Sequence, residues 1–167
     1  MKINTKVDGF VIRTAGIEDV SLILWFIKGL VDYKKLSHEV VATEEGLREN
    51  LFGQSPKAEV NIGEYQSEPL GFALFFHNFS TFVGKWGIYL EDLYVIPEMR
   101  GRGFGKALLQ YLARLAVERD CGRLEWAVLD WNEPAIKFYE SIDARIMKEW
   151  LINRLAGEEL VALASES

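Results

Sequence analysis

Two stretches of this chain carry residue types that do chemistry. In Tyr89-Leu90-Glu91-Asp92-Leu93-Tyr94-Val95, two adjacent carboxylates interrupt an otherwise apolar run. Strand alternation groups Glu91 with Leu93 and Val95, and Asp92 with Leu90 and Tyr94. A carboxylate there is either a solvated charge on an open sheet face or, where burial raises its pKa or a water relay shares the work, a proton acceptor. The second stretch is Arg100-Gly101-Arg102-Gly103-Phe104-Gly105-Lys106, between a hydrophobic strand expected to end at Val95-Ile96 and an amphipathic helix. Glycines let backbone approach a ligand and turn N–H groups towards it, and the start of a helix favours an anion. Arg100, Arg102 and Lys106 add mobile positive charge, so the loop reads as a phosphate cradle or, more simply, as a basic surface turn.

Spacing separates the phosphate-binding patterns. A P-loop needs Gly five positions before the Gly of Gly-Lys and Ser or Thr after the lysine, but Arg100 and Ala107 stand there. A dinucleotide fingerprint needs Gly-x-Gly-x-x-Gly, but counting from Gly101 or Gly103 ends on Lys106 or Leu108. What remains is Arg-x-x-Gly-x-Gly, met by Arg100, Gly103 and Gly105.

The elements that must position these residues follow from hydrophobic periodicity. Phe10-Val11-Ile12-Arg13 reads as a short strand, and apolar residues recur at helical spacing over 17–33, with Glu18 and Asp19 in the first turn. Thr43 before Glu44 and Glu45 predicts an N-cap for a helix ending near Phe52, where Gly53 stops it. Aromatic and β-branched runs at 58–65, 70–79 and 86–96 predict an antiparallel meander. Then come a helix over 106–119, a strand over 124–129, a short helix over 134–142 and an extended region over 144–155. Asn132 is a credible cap for that short helix, and Pro134 is tolerable in its first turn. The order predicts an α/β fold with one mixed sheet, not a doubly wound one.

Composition narrows the classes. The 167 residues carry 25 acidic and 19 basic side chains, net −6, which disfavours nucleic acid as a partner. One cysteine, Cys121, and two histidines, His38 and His77, supply no Cys/His metal cage, so no metal is expected. The longest apolar stretch, 22–31, contains Lys28 and is too short to cross a bilayer, so no membrane partner is expected. Residues 1–9 are polar, lack the apolar core of a secretory leader and are expected to be a loose extension. No linker divides the chain, so residues 1–167 are expected to form one domain of cytoplasmic location.

The loop motif resembles the acetyl-CoA pyrophosphate loop of the GCN5-related N-acetyltransferase (GNAT) superfamily. Downstream, Trp131-Asn132-Glu133-Pro134-Ala135-Ile136-Lys137-Phe138-Tyr139 resembles that superfamily's segment after the fifth strand, where an Asn precedes a short helix ending in Phe-Tyr. Within the superfamily, Phe10-Val11-Ile12-Arg13, Leu30 with Tyr33, Tyr89-Leu90-Glu91-Asp92-Leu93 and Trp131-Asn132-Glu133-Pro134 resemble, in order, the diamine acetyltransferases of the spermidine/spermine and thialysine group.

The resemblance implies a single, mostly antiparallel mixed sheet of six to seven strands flanked by about four helices. It implies acetyl-CoA as co-substrate, a small-molecule amine as acceptor and a homodimer. Tyr139 is implied as the acid for the departing thiol and Glu91 as the base. Backbone of Leu93, Tyr94 and Val95 would pair with the pantetheine arm, the segment 100–106 would hold the pyrophosphate, and Asn132, Pro134 and Ala135 would flank the cofactor. Tyr33, Lys34, Glu91, Asp92, Glu125, Trp126 and Ala127 are implied near the amine, with Glu149 and Trp150 closing the site. Lys34 stands where polyamine-acetylating relatives carry a carboxylate, which argues against a long polycation and leaves a smaller amine or amino acid. A protein lysine or N-terminal acetyltransferase, and a non-enzymatic CoA-binding module, are the alternatives.

Overall fold

A computed structural model describes residues 1–36 and 40–166; His38 lies outside them. The chain folds as two compact units, Met1–Ala127 and Val128–Ser167. The first unit contains a six-stranded sheet in sequential order: β1 (Lys2–Asn4), β2 (Phe10–Thr14), β3 (Glu59–Tyr65), β4 (Glu68–Ser80), β5 (Lys85–Val95) and β6 (Leu124–Trp126). All neighbours pair antiparallel except β5 and β6, which are parallel. It also contains α1 (Val20–Tyr33), α2 (Glu44–Phe52) and α3 (Phe104–Glu118).

Local chemistry sets the boundaries. Thr43 caps α2 by accepting a hydrogen bond from the Gly46 N–H, and Gly53 closes it. The hairpin between β3 and β4 turns on Gln66 and Ser67, both at positive φ, the conformation that fits a two-residue turn to the twist of its strands. The helix expected over 17–33 begins instead with a short 3-10 turn at Ile17–Asp19. Residues 1–9, expected to be loose, supply β1, which pairs Lys2 with Arg13 and Ile3 with Ile12. Its polar, three-residue sequence suits a sheet edge and carries little signal on its own.

The register shows which helix covers which face. Val60, Ile62, Phe72 and Tyr94 pack under Ile23, Phe26, Leu30 and Leu51 of α1 and α2. Phe10 pairs with Tyr65, hence on the opposite face, where Phe104 of α3 meets both rings at 4.7 and 5.3 Å. On the α1 side, Arg13 ties the sheet to the first turn. Its guanidinium donates two hydrogen bonds to Asp19, at 2.7 and 2.8 Å, and one to Glu64, which Lys2 also reaches at 2.9 Å. The Arg13 bonds hold the Asp19 carboxyl below its ordinary pKa. Burial alone would raise Glu64, but Arg13 and Lys2 outweigh it and keep it low.

The second unit contains α4 (Glu133–Ser141) and α5 (Gly157–Ala164). As expected, Asn132 caps α4 through a bond from the Ala135 N–H, 3.4 Å, and Pro134 sits in the first turn. Asp143, after α4, adopts φ +64°, a left-handed conformation that Asp tolerates better than most residues. Two expectations fail in this region. The extended region at 144–155 forms no strand among the described residues, and α5 was not anticipated. Glu158 and Glu159 in its first turn, ahead of Leu160, Val161 and Leu163, were the available signal.

Candidate active site

The strand that carries the carboxylates is irregular at the carboxylates. Leu74 pairs with Asp92 but its neighbour Phe75 pairs with Leu90, which leaves Glu91 as an extra residue, a β-bulge. Alternation is therefore broken, and the expected grouping of Asp92 with Leu90 is corrected. Leu90 faces α3 with Phe75, whereas Asp92 faces α1 with Leu74 and Tyr94. Glu91 is exposed at the bulge.

Burial falls on the second carboxylate. Desolvation raises the Asp92 carboxyl above its ordinary pKa and the neighbouring Glu91 adds to this, while the Lys34 ammonium opposes it. That ammonium lies 3.9 Å from Asp92 Oδ1. Burial likewise raises the Tyr89 phenol, aided by Glu91 and Glu125. Tyr89 pairs with Glu125 across the parallel ladder, so both share the Asp92 face. Trp126 pairs with Leu90 and is therefore turned to the opposite face, away from Glu125, unlike the grouping of both near one amine. Ala127 follows the end of β6.

Beyond the bulge, β5 loses a neighbour. β6 pairs only with Ile88, Tyr89 and Leu90, so along Leu93, Tyr94 and Val95 one backbone edge has no strand among the described residues, while the other edge is paired to β4. An extended ligand with amide groups can hydrogen-bond to such an edge as an added strand would. The edge leads through a 3-10 turn at Pro97–Met99 to the glycine loop. There Gly101 and Gly103 adopt φ +75° and +86°, where a side chain is strained, and Gly103 occupies the cap position of α3 with no side-chain cap on the first-turn N–H groups. A phosphate at that turn would meet unsatisfied donors and the positive end of the helix.

The loop's side chains are less mobile than expected. Arg100 donates from Nε to the Val95 carbonyl at 2.9 Å, and its guanidinium stacks 4.5 Å from the Tyr33 ring and 5.4 Å from the Tyr94 ring. Arg102 lies over Tyr65 at 4.8 Å and over Phe104 at 5.2 Å. Phe104 itself is a buried core residue. Gly105, the second residue of α3, lies next to Val95, with room for a methyl group 3.9 Å from Val95 Cγ2, and Lys106 follows it. Tyr33, expected at the amine, is thus also the platform for Arg100. The first unit brings together Tyr33, Lys34, Tyr89, Glu91, Asp92, Tyr94, Arg100 and Glu125. Sequence reasoning missed Tyr89, whose phenol lies in the field of two carboxylates, although it opens the quoted motif.

In the second unit, Tyr139 lies in the last turn of α4, its ring centroid 5.5 Å from that of Phe138. Phe138 is half-buried. Glu149 and Trp150 lie in irregular backbone before α5, both exposed. Among the described residues no group of three or more His, Cys, Asp or Glu could hold a metal ion. Among those residues no helix is long and apolar enough to cross a membrane.

A strand edge opening onto a glycine loop and helix start, beside paired carboxylates, is the construction of an acyl-CoA-dependent transferase. The profile of the acetyltransferase (GNAT) family matches residues 27–143, and the chain belongs to that family, whose co-substrate is acetyl-CoA. It is 37% identical to a thialysine N-epsilon-acetyltransferase of Bos taurus, over 93% of this chain and 97% of the relative. It is 32% identical to an L-ornithine N5-acetyltransferase of Arabidopsis thaliana, over 91% of this chain and 86% of that one. Among solved structures, an integron cassette protein from V. cholerae superposes with a TM-score of 0.78 at 28% identity, covering 93% of this chain and 98% of the other. The fold is thus α/β with a mixed six-stranded sheet, and the chain is an acetyltransferase enzyme.

Proposed function

We propose that this enzyme moves the acetyl group of acetyl-CoA to the primary amine of a small molecule, a diamine, polyamine or thialysine-like amino acid, by direct attack. The observation that carries this reading is the bulge at Glu91, which places two carboxylates where the free edge of β5 begins. The relatives that act on thialysine and ornithine support an amine acceptor of that size.

An alkylamine of pKa about 10.4 is neutral in only about one molecule in a few thousand at pH 7, a handicap of roughly 4 to 5 kcal/mol. Glu91, exposed at the bulge, draws in the ammonium and takes its proton as base, directly or through a water. Asp92, whose carboxyl burial raises, stands beside it as a second acceptor. The amine nitrogen bonds to the acyl carbon, the carbon–sulfur bond breaks, and Tyr139 protonates the departing thiolate. Leu93, Tyr94 and Val95 present backbone to the pantetheine arm. The loop from Arg100 through Lys106 receives the pyrophosphate, with Asn132, Pro134 and Ala135 flanking it. Tyr33, Lys34, Glu125 and Ala127 contribute to the amine side, and Glu149 with Trp150 closes it. The enzyme works as a single domain and a homodimer in the cytoplasm.

The test is mass-spectrometric detection of acetylated product from acetyl-CoA and a panel of diamines, polyamines, thialysine, ornithine and a lysine peptide. Product on one small-amine class is expected, with Tyr139→Phe lowering kcat about 10²- to 10⁴-fold, the range for a lost general acid. Product on the peptide alone would overturn the small-amine reading. Full turnover in both Tyr139→Phe and Glu91→Gln would overturn the assigned roles.

A further inference from the structure

The acidic groups around the bulge are not equivalent. Glu125 is held by Arg123 Nε at 3.0 Å and by Asn78 Nδ2 at 3.3 Å. Glu91 forms no ion pair among the described residues. Asp92 is opposed by one cation, Lys34. Lys34 is the residue that ends α1, and the chain reverses at Lys35, φ +59°, so the stem of Lys34 leaves from a defined point. Its side chain keeps 35% of its exposure, and 3.9 Å is too long for a hydrogen bond. The ammonium is therefore a charge held close to the carboxylate and free to turn to another acceptor.

An ammonium in that position does two things to a ligand whose reacting amine is brought to Glu91. It already occupies the countercharge, Asp92, that a second ammonium would use, and repels that second ammonium across a half-buried surface where screening is weak. It also offers a donor to an anion. Resting on the amine-acetylating reading of the same site, we infer that Lys34 sets the specificity: it rejects a second cation and pairs with a carboxylate, so that the substrate is an amino acid bearing a side-chain amine. The ligand carboxylate takes the Lys34 ammonium, and its side-chain amine is drawn to Glu91.

The test compares L-ornithine with 1,4-diaminobutane, which differ by one carboxylate, as acceptors with acetyl-CoA in the wild type and in Lys34→Arg, Lys34→Gln and Lys34→Glu. The wild type is expected to favour ornithine at least tenfold in kcat/KM, with the difference mainly in KM, as for a contact made equally in ground and transition states. Lys34→Arg keeps that preference, Lys34→Gln reduces it towards unity, and Lys34→Glu inverts it. The Gln variant is nearly isosteric and guards against a folding defect in the Glu variant. A wild-type preference for the diamine, or the same ratio in all four proteins, overturns the role of Lys34 while leaving amine acetylation standing. Acetylation of neither compound by any form, with acetyl-CoA still bound in calorimetry, overturns the role of Lys34, and amine acetylation falls with it when thialysine and spermidine also give no product.

Discussion

Gly29 lies in the interior of α1, where replacing glycine with alanine ordinarily stabilises a helix by about 1 kcal/mol. Here the sign should reverse. A Cβ built on Gly29 runs into Tyr94 Oη and lies 2.8 Å from Cζ, so atoms must move. The far end of a side chain often yields cheaply, but Tyr94 is only 6% exposed, packs 6.0 Å from Phe26 and carries Arg100 above its ring at 5.4 Å. Overpacking of such a site costs about 1 to 3 kcal/mol, against a gain of about 1, so Gly29→Ala should lose roughly 1 kcal/mol net. The measurement is urea unfolding followed by tryptophan fluorescence, with the midpoint read at constant slope. Two companions sharpen it. Gly105→Ala, whose Cβ would meet only Val95 Cγ2 at 3.9 Å, should be neutral or slightly stabilising. Tyr94→Phe in the Gly29→Ala background removes the clashing oxygen and should recover part of the loss. A Gly29→Ala protein about 1 kcal/mol more stable than the parent would refute the reasoning, since helix propensity alone would then account for the site.

Arg13→Met should cost about 3 kcal/mol at neutral pH, because it strands the nearly buried Asp19 and leaves Glu64 with Lys2 as its remaining ion-pair partner among the described residues. In the wild type, Asp19 and Glu64 titrate below their ordinary values, so the unfolded chain binds more protons in acid. Their contribution is complete above the ordinary carboxylate range and is lost as pH falls through the lowered values. The gap between the two proteins should therefore narrow below about pH 4 in paired melting curves; a gap independent of pH would count against the ion cluster. Gly103→Ala forces a side chain onto φ +86°, a strain of about 1 to 2 kcal/mol at the cap of α3. Calorimetry should show at least tenfold weaker acetyl-CoA binding, and unchanged affinity would remove the loop from the binding site.

What the sequence made legible was whatever local chemistry decides. Thr43 and Gly53 bound α2, the aromatic runs gave the meander, and Asn132 with Pro134 opened α4 within a residue of the expected place. The bulge was not legible, because an apolar run with two acids in its middle is compatible with either phase. Only the pairing of Leu74 and Phe75 with Asp92 and Leu90 reveals the extra residue. β1 depends on its partner β2 for its existence, so its own polar residues could not announce it. The reading of Arg100 and Arg102 as mobile charges failed for a similar reason. Beside the nearby Tyr94 and Phe104, the rings that hold them are Tyr33 of α1 and Tyr65 of β3, both distant in the chain. At 144–155 the side chains suit a strand, but composition cannot supply a neighbouring strand to pair with.

The extra residue at Glu91 also divides β5 into two lengths that answer to different constraints. The outer length, through Leu90, is kept in place by the paired rings of Phe76 and Tyr89, by the short ladder to β6, and by a tip where Phe79, Phe82 and Trp86 are exposed. The inner length, from Asp92, is kept in place by α1 through Tyr94 and Lys34. Because the bulge absorbs any mismatch in pleat between them, the tip of this hairpin can change its length, twist or aromatic content without rotating Asp92 or closing the edge along Leu93 to Val95. A single strand thus carries a part free to vary and a part that is not, separated by one residue.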